Sequence, residues 1–368
     1  MEVASETTVE RAYGSRAGEV EDALLEMATL RGPGIKLPTI QELCDQFDTC
    51  RPTLDRAMSA LEQRGVVRRK RGSGIYVTER IRQKTIGVVF GGDIFTARFS
   101  PYWGLLLQAV REQTGGRDDL RTQAYMDISQ GHDGLGGHGQ LVEDLEAKRL
   151  DGLLLFIEAP GLLDHLAAYG VPVVAPGVSG SNGCAVYDPS AKLRLFAEAL
   201  AARKCRRVAL MPSIADFRQP LEQALRKAGV ADAEVSVPYA DLQPTAETPH
   251  EEVGHEIMQR ILSDGSGRLP DAVVSLEDDT LARGAITALL QAGLKPGRDI
   301  QVASQVNKGS PVLKLHAAYI IQIEIDPAEI VRIGLATLET RMAGRTPERK
   351  PVLLTPVLVG RVLVNGEW

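Results

Sequence analysis

Apolar residues recur at helical spacing in three short segments near the start of the chain, and this pattern predicts three helices. The first helix is predicted over residues 19–30 and the third over residues 52–64. Thr39 and Glu42 have the spacing of a capping box, which predicts that the second helix begins immediately after Thr39. A tight turn leads into the third helix, so the segment has the order of a helix-turn-helix unit.

A basic β-hairpin is predicted directly after the third helix. Residues 66–70 and 75–78 have the composition of short strands, and residues 71–74 form the turn between them. Positions 51–84 hold ten basic and three acidic residues, a net charge of +7 in a chain whose formal net charge is −6. A basic module on an acidic remainder is typical of a protein that contacts phosphate with one end only. The alternative interpretation is a solvated basic face on a structural helical subdomain.

Strands and helices alternate over the rest of the chain. A continuous apolar run at residues 85–90 predicts a strand that is buried on both faces. Further strands are predicted at 121–126, 151–157, 172–175, 207–211, 233–237, 272–276 and 300–304. Helices are predicted at 102–112, 141–149, 161–169, 190–203, 219–228, 250–263 and 280–292. The alternation predicts an α/β fold of parallel sheets flanked by helices, and the number of units predicts two sheets with a ligand cleft between them.

A set of positions in the segment 17–78 matches a known pattern. These positions are Leu37-Pro38, Glu42-Leu43, Arg51, Thr53-Leu54, Arg56-Ala57, Leu61, Gly65 and Gly72-x-Gly74-x-x-Val77. Together they resemble the winged helix-turn-helix domain of the GntR family of bacterial transcription regulators. The resemblance implies a DNA-binding protein whose third helix enters the major groove and whose hairpin, the wing, lies beside it.

The candidate DNA contacts follow from this resemblance. They are Thr39, Gln41, Arg51, Thr53 and Arg56 on the helices, and Arg69, Lys70, Arg71 and Gly72 in the wing. The chain departs from the family at several positions of this segment, among them Cys50, which stands where a serine or threonine is common. Gln41 stands where an arginine commonly contacts DNA, and Asp55 stands where another arginine is common. An unusual base preference is therefore expected.

The remainder of the chain, from about residue 85 to 364, carries a second series of matches. They are Ile86-Gly87-Val88, Asp151-Gly152-Leu153-Leu154, Val171-Pro172-Val173-Val174, Val186-x-Asp188, Arg207-Val208-Ala209, Pro270-Asp271-Ala272-Val273, Asp279-x-x-Ala282-x-Gly284-Ala285, Gly297-x-Asp299-Ile300 and Leu353-Leu354-x-Pro356-x-Leu358-Val359-x-Arg361. Their order is similar to that of the LacI/GalR effector domain, which shares its fold with periplasmic binding proteins. The resemblance implies two subdomains, a sugar-binding cleft and a dimer.

A sugar cleft requires aromatic faces for the ring and charged or amide groups for the hydroxyls. The candidate effector-binding residues are Asp93, Phe99, Tyr102, Arg218, Asp278 and Asn307. Ordinary core packing is the alternative for the two aromatic residues, and capping of the helix that follows is the alternative for Asp278.

The predicted organisation is a disordered segment at 1–16, a winged-helix DNA-binding domain at 17–78, a linker at 79–84 and an effector-binding and dimerisation domain at 85–368. The expected function is a sequence-specific transcription regulator, acting as a repressor, whose affinity for double-stranded operator DNA changes when a sugar binds in the cleft. A non-sugar effector and a vestigial cleft remain as alternatives. An enzyme of Rossmann type and an architectural chromosome-binding protein are the hypotheses from other classes.

Little in the composition favours catalysis. The chain has no nucleotide-binding loop after the first strand of its α/β part, so no cofactor is expected. Its cysteine and histidine residues do not have the spacing of metal ligands, so no metal is expected. Cys44, Cys50, Cys184 and Cys205 show no pairing pattern, which favours free thiols in a reducing compartment. The first 16 residues do not resemble a signal peptide, and no apolar run approaches the roughly 20 residues of a membrane span. A cytoplasmic protein is therefore expected.

Overall fold

The computed structural model contains a small N-terminal domain, called the head here (residues 16–82), followed by two α/β lobes. The described residues are 16–96, 100–126, 138–156, 165–166, 168–177, 184–212, 216–245, 248–264, 268–347 and 350–359. Within these ranges, no helix combines the length and apolar character that crossing a membrane requires.

The helices and strands of the described residues are numbered in chain order. The helices are α1 Arg16–Arg31, α2 Ile40–Gln46, α3 Arg51–Gln63, α4 Pro101–Thr114, α5 Gly139–Glu146, α6 Pro189–Ala202, α7 Arg218–Lys227, α8 His250–Ser263, α9 Asp279–Gln291 and α10 Pro327–Met342. The strands are β1 Val67–Lys70, β2 Gly74–Val77, β3 Lys84–Phe90, β4 Leu120–Met126, β5 Gly152–Phe156, β6 Val173–Val174, β7 Ala185–Tyr187, β8 Arg207–Leu210, β9 Glu234–Ser236, β10 Ala272–Ser275, β11 Gln301–Asn307, β12 Ile321–Ile325, β13 Val352–Leu354 and β14 Val357–Val359.

The head has the predicted order of three helices and a hairpin. Thr39 caps α2: its hydroxyl accepts the Glu42 N–H at 3.3 Å, and its own N–H donates to the Glu42 carboxylate at 2.7 Å. This reciprocal pair satisfies two backbone donors that a helix start leaves without partners. The predicted capping box is confirmed.

The head has its own apolar core, which orients α3. Leu24 of α1, Leu43 of α2 and Leu54 of α3 are fully buried, and each contributes roughly 1.5–3 kcal/mol by burial. Near the other end of α3, the Arg64 guanidinium lies 3.0 Å from the Glu21 carboxylate of α1, and both side chains are mostly buried. The core and this ion pair together fix α3 against α1.

The wing is an antiparallel hairpin in which β1 pairs with β2. The chain before α2 adds a third segment along β2, because the Leu37 N–H donates to the Ile75 carbonyl at 2.8 Å and the Val77 N–H donates to the Ile35 carbonyl at 3.0 Å. These bonds tie the wing to the helices. A short 3-10 helix, Glu79–Arg82, then leads to the first strand of the α/β lobes.

The first lobe is built on a parallel sheet with the order β4-β3-β5-β6. The second lobe is built on a sheet with the order β14-β12-β11-β10-β8-β9, in which only β14 is antiparallel to its neighbour. The chain enters the second lobe after β7 and returns to the first after β12, where α10 packs on α4 and β5. β13 then pairs with β7, and β14 returns to the second sheet. Two predominantly parallel sheets linked by these crossings confirm the predicted fold class.

Several elements of the crossing region were not predicted. They are β7, β12, α10, β13 and β14. A local signal for α10 was present: the Asp326 carboxylate accepts the Ala328 N–H at 3.0 Å, and Pro327 occupies the first helical position. Most of the helix predicted at 161–169 lies outside the described residues.

Candidate DNA-binding surface and ligand cleft

The outer surface of α3 presents its N-terminal side chains to solvent. Arg51, whose side chain is 78% exposed, and Arg56 lie on this surface. The Thr53 hydroxyl lies 3.1 Å from the Cys50 sulfur at the helix start. Hydrogen bonds from the Thr53 hydroxyl and backbone hold the pKa of the Cys50 thiol below its ordinary value. These positions can reach base edges when the start of α3 enters a groove.

The two candidates on α2 are placed differently. The Thr39 hydroxyl is part of the capping box and also donates to Glu42 at 2.9 Å. The Gln41 amide is exposed and donates to Asp45 one turn later at 3.0 Å. Gln41 is therefore the freer of the two to exchange its partner for DNA.

The wing tip is basic and open. Arg68, Lys70 and Arg71 are exposed, and the Lys70 ammonium lies 5.1 Å from the centre of the Tyr76 ring. Gly72 has φ +73°, and a Cβ built there would meet nothing within 4 Å. Glycine is suited to this left-handed position, and the surrounding space lets a partner approach the backbone closely.

Arg69, another wing candidate, is paired within the head. Its guanidinium lies 3.3 Å from the Asp55 carboxylate and 3.5 Å from the Glu62 carboxylate, both on α3. Its backbone N–H also donates to Glu62 at 3.1 Å. The role of these two acidic residues was not anticipated from the sequence. Their spacing of seven residues, which places both on one helix face, was the available signal.

In a fold of two parallel sheets, a ligand cleft is expected where the carboxyl ends of strands from both lobes meet. The start of α9, after β10, contributes Asp278, which is 5% exposed. One of its carboxylate oxygens caps α9 by accepting the Thr280 N–H at 2.6 Å, and the other lies 3.0 Å from Nδ1 of His250. Ser100, at the start of α4 in the first lobe, also hydrogen-bonds to this carboxylate. Asp278 therefore joins the two lobes as well as capping a helix.

The charge state of Asp278 follows from these partners. Burial opposes its ionisation, but the hydrogen bond and the charge of His250, helped by Thr280 and Ser100, outweigh burial and hold the pKa of Asp278 below its ordinary value. His250 was not anticipated as a partner, because it lies on a different helix and 28 positions earlier in the chain.

Asp279, the residue after Asp278, belongs to a second group of buried polar side chains. The Ser310 hydroxyl donates to one Asp279 oxygen at 2.8 Å, and the Ser310 N–H donates to the Asn307 carbonyl at 2.8 Å. The other Asp279 oxygen and the Asn307 side-chain oxygen are buried and have no hydrogen-bond partner among the described residues. Burial, with a smaller contribution from the charge of Asp278, raises the pKa of Asp279 to about 6. Ser310 thus links Asp279, the residue after Asp278, to Asn307.

Lys192 of α6 is a further buried cation of the second lobe. Its ammonium donates to the Leu276 carbonyl at 3.0 Å and to the Gln305 amide oxygen at 3.2 Å, and it lies 5.4 Å from the centre of the Phe217 ring. Burial lowers its pKa below the ordinary value. Sequence reasoning missed Lys192, although a lysine between Ala191 and Leu193 on an otherwise apolar helix face was a visible signal.

The remaining cleft candidates are more scattered. Tyr102 is half-buried against Trp103, with ring centres 5.7 Å apart, and burial raises its pKa. Asp93 is half-buried and accepts the Phe95 N–H at 3.1 Å. Arg218 is exposed as the first residue of α7. Phe99 lies outside the described residues. Within the described ranges, no three histidine, cysteine, aspartate or glutamate side chains are grouped for metal binding.

Comparison with known protein families matches two segments of the chain. Residues 17–77 match the family described as bacterial regulatory proteins, gntR family, and residues 197–362 match the periplasmic binding protein-like domain. The chain joins a gntR-type helix-turn-helix domain to a periplasmic-binding-protein-like domain. The gntR match includes α3 and the wing, so the basic surface described above lies within the segment that resembles this family.

One curated relative is the uncharacterized HTH-type transcriptional regulator YydK of Bacillus subtilis (strain 168). It is 32% identical over 77 residues, which are 21% of this chain and 32% of that protein. The chain therefore matches about a third of that relative's length.

Solved structures of regulators share the fold. The transcription regulator CcpA of Lactococcus lactis superposes with a TM-score of 0.58 at 16% identity, over 76% of this chain and 98% of that one. A LacI family regulator from Arthrobacter sp. FB24, in complex with lactose, superposes with a TM-score of 0.59 at 18% identity, over 75% of this chain and 97% of that one. At such identities the likeness establishes the fold alone.

Proposed function

We propose that this protein is a sequence-specific transcription regulator, whose head binds double-stranded operator DNA and whose affinity for that DNA is changed by a small molecule bound between the lobes. The observation that carries the proposal is the basic, exposed surface of α3 and the wing on a gntR-type domain. No catalytic step is needed for this function.

The geometry of the head supports the way in which helix-turn-helix domains commonly bind DNA. The N-terminal part of α3 would enter the major groove, where Arg51 and Arg56 can each donate two hydrogen bonds to a guanine. The exposed wing cations Arg68, Lys70 and Arg71 would contact phosphates, and Gly72 would let the wing backbone approach the duplex. Phosphate contacts supply affinity and base contacts supply discrimination.

A sugar is the effector class that we favour. The regulator from Arthrobacter sp. FB24 that shares this fold was crystallised with lactose. In this chain the cleft region brings together carboxylate and amide groups, including Asp278 and Asn307, of the kind that bind hydroxyl groups. A non-sugar effector and a cleft without a ligand are the alternatives, and the second of these is favoured by the fact that both Asp278 oxygens already have partners.

The lobes would pair in a homodimer and hold two heads over a near-palindromic operator. Ligand binding would change the angle between the lobes and with it the spacing of the heads. By linkage, DNA and ligand must change each other's affinity by the same factor. Release of repression by the ligand is the proposed direction.

The proposal is tested by selection of DNA with the full chain, from a duplex library with a randomised core of about 20 base pairs, followed by gel-shift assays of the selected sequence. Binding of the selected duplex that exceeds binding of random duplex by at least about a thousandfold is expected. Failure to enrich any sequence would contradict the proposal.

The effector is tested separately by thermal unfolding with a panel of sugars, nucleosides and sugar phosphates. A ligand at 100 times its dissociation constant adds about 2.7 kcal/mol to the free energy of unfolding. A shift with one sugar, coupled to a change in operator affinity, is expected. A shift with none of these compounds would favour the cleft without a ligand.

A further inference from the structure

Asp55 of α3 lies between two arginines on the surface proposed to face DNA. Its carboxylate is 3.7 Å from Nε of Arg51, one turn earlier on α3, and 3.3 Å from the guanidinium of Arg69 in the wing. Arg69 also reaches Glu62, about two turns beyond Asp55 on the same face of α3. The four side chains form a cluster, called the Asp55 cluster here: Arg51, Asp55, Glu62 and Arg69.

The charge of this cluster is unusual for a surface that meets phosphate. Two arginines and two carboxylates sum to zero, so the cluster adds little to the release of counterions on binding. By contrast, Arg56, Arg68 and Arg71 have no ion pair in the described part of the chain. An acidic group on such a surface is repelled by phosphate, and its presence there requires a benefit other than general affinity.

The geometry indicates what that benefit is. An exposed arginine has many rotamers, and a carboxylate one turn away on the same helix restricts them. Arg51 is 78% exposed and has Asp55 as its ion-pair partner. The second contact of Asp55, with Arg69, joins the recognition helix to the wing, whose backbone is also bound by Glu62. One carboxylate thus influences both DNA-contacting elements.

We infer that Asp55 is a positioning residue that determines base specificity: it holds Arg51 in the orientation that reads one base pair, and through Arg69 it fixes the wing against α3. This inference rests on the proposed DNA-binding function. In this inference Arg69 stabilises the surface that faces DNA, and the wing cations Arg68 and Arg71 make the general phosphate contacts.

The experiment is the library selection described above, carried out with the full chain and with single variants. Arg51→Ala first identifies the base pair that Arg51 reads, because preference at that position disappears. Asp55→Asn is expected to weaken preference at the same base pair by up to about fivefold while preferences elsewhere persist. Asp55→Glu, which keeps the charge and can still reach the arginines, is expected to restore much of the preference.

Salt titration with a random-sequence duplex separates positioning from charge. Asp55→Asn raises the net charge of the head by one, so the slope of log affinity against log salt should steepen by up to about 0.9. Glu26→Gln makes the same charge change on an exposed position of α1, away from the cluster. This control should leave the selected sequence unchanged, and circular dichroism should show that all variants are folded.

Three results would overturn the inference. One is an identical selected sequence for wild type and Asp55→Asn. Another is loss of preference for a cytosine at a position that Arg51→Ala does not affect, because Asp55 would then contact a base directly. The third is failure of Asp55→Glu to restore any preference. If the wild type itself enriches no sequence, the proposed function fails as well, and the two failures are distinguishable.

Discussion

Gly284 of α9 lies directly against the backbone of Glu251 in α8, and a Cβ atom at Gly284 would overlap the Glu251 carbonyl oxygen. Gly254 of α8 faces the Leu281 carbonyl of α9 in the same way. The two glycines let the helices pack backbone to backbone. This packing brings the start of α8, with His250, to the start of α9 and its cap, so the glycines position the contact between His250 and Asp278.

Gly284→Ala should therefore destabilise the second lobe. A methyl group has no space between the helices, and overpacking of this kind costs about 1–3 kcal/mol. Urea unfolding followed by circular dichroism measures the loss. Gly104→Ala is the matched control, because Gly104 is also inside a helix but has nothing within 4 Å of its Cβ position. The control should gain up to about 1 kcal/mol from helix propensity. Equal effects of both substitutions would contradict the packing argument.

The ion pair between Glu21 and Arg64 should stabilise the head. Both side chains are mostly buried, so Glu21→Ala leaves a buried guanidinium without its partner and should cost about 1.5–3 kcal/mol. Hydrogen exchange of peptides from the head, measured in the full chain, reports this change. Glu19→Ala breaks the exposed pair with Arg16 and should change stability by less than about 0.5 kcal/mol. Unchanged exchange in Glu21→Ala would remove the pair from the interactions that fix α3.

The buried carboxyl of Asp279 should make stability depend on pH. Because its folded-state pKa is raised to about 6 from 3.8, the native state holds the proton more tightly than the unfolded chain does. Its contribution is therefore present at pH below the unfolded value and lost as pH rises through about 6. The contribution is at most about 3 kcal/mol. Asp279→Asn should accordingly gain stability relative to wild type between pH 4 and pH 7, as measured by urea unfolding at each pH.

Asp271 provides a control of opposite sign. Burial opposes its ionisation, but hydrogen bonds from the backbone of Arg207 and Arg206 and from the Arg207 side chain outweigh burial and lower its pKa. Its contribution is present above the unfolded pKa and lost as pH falls through the lowered folded-state value. Asp271→Asn should therefore lose most stability near neutral pH. Parallel pH profiles for the two variants would contradict this account.

Arg51 and Arg71 should differ in what they contribute to DNA binding. Arg51→Ala should reduce binding of the selected operator by about tenfold and relax preference at one base pair. Arg71→Ala should weaken binding of all sequences alike and reduce the salt slope by about 0.9. Gel-shift titrations at several salt concentrations distinguish the two effects. Unchanged operator binding by Arg51→Ala would remove Arg51 from the contact residues.

Arg218 should affect the response to ligand and leave DNA binding intact. It is exposed at the start of α7, the helix that follows β8 along the chain. Arg218→Ala should abolish most of the thermal shift that the active sugar produces in the wild type. Arg226→Ala, at the far end of the same helix, should retain it. An intact response in Arg218→Ala would show that the pocket is elsewhere.

Much of the fold was predictable because its signals are local. The capping box of Thr39 and Glu42 spans four residues, and the predicted helix 250–263 is observed with the same bounds. Hydrophobic periodicity reports which face of an element is buried, and it does so without knowledge of the partner. The crossing region was the exception, because its short strands pair with segments far away in the chain and leave little periodic pattern.

The candidate sites were only partly predictable. Asp278 was weighed both as a cleft residue and as a helix cap, and it caps α9 in the structure. Its contact with His250 could not be predicted, because it depends on how two helices pack. The same is true of Arg69, which appeared as one cation of a basic tip and is in fact paired with two carboxylates of α3.

The order of residues was sufficient to establish a basic winged-helix head followed by α/β units, since capping, periodicity and charge act over a few neighbouring positions. The tertiary structure determined which of those charged side chains, in the part of the chain that it describes, have no ion-pair partner and can bind DNA. Asp55 and Arg69 are 14 positions apart, and Lys192 and Gln305 are 113 apart, yet each pair is in contact. Such contacts form only when whole helices and strands pack together. The free energy that stabilises this packing comes from the entire core and not from the few residues in contact.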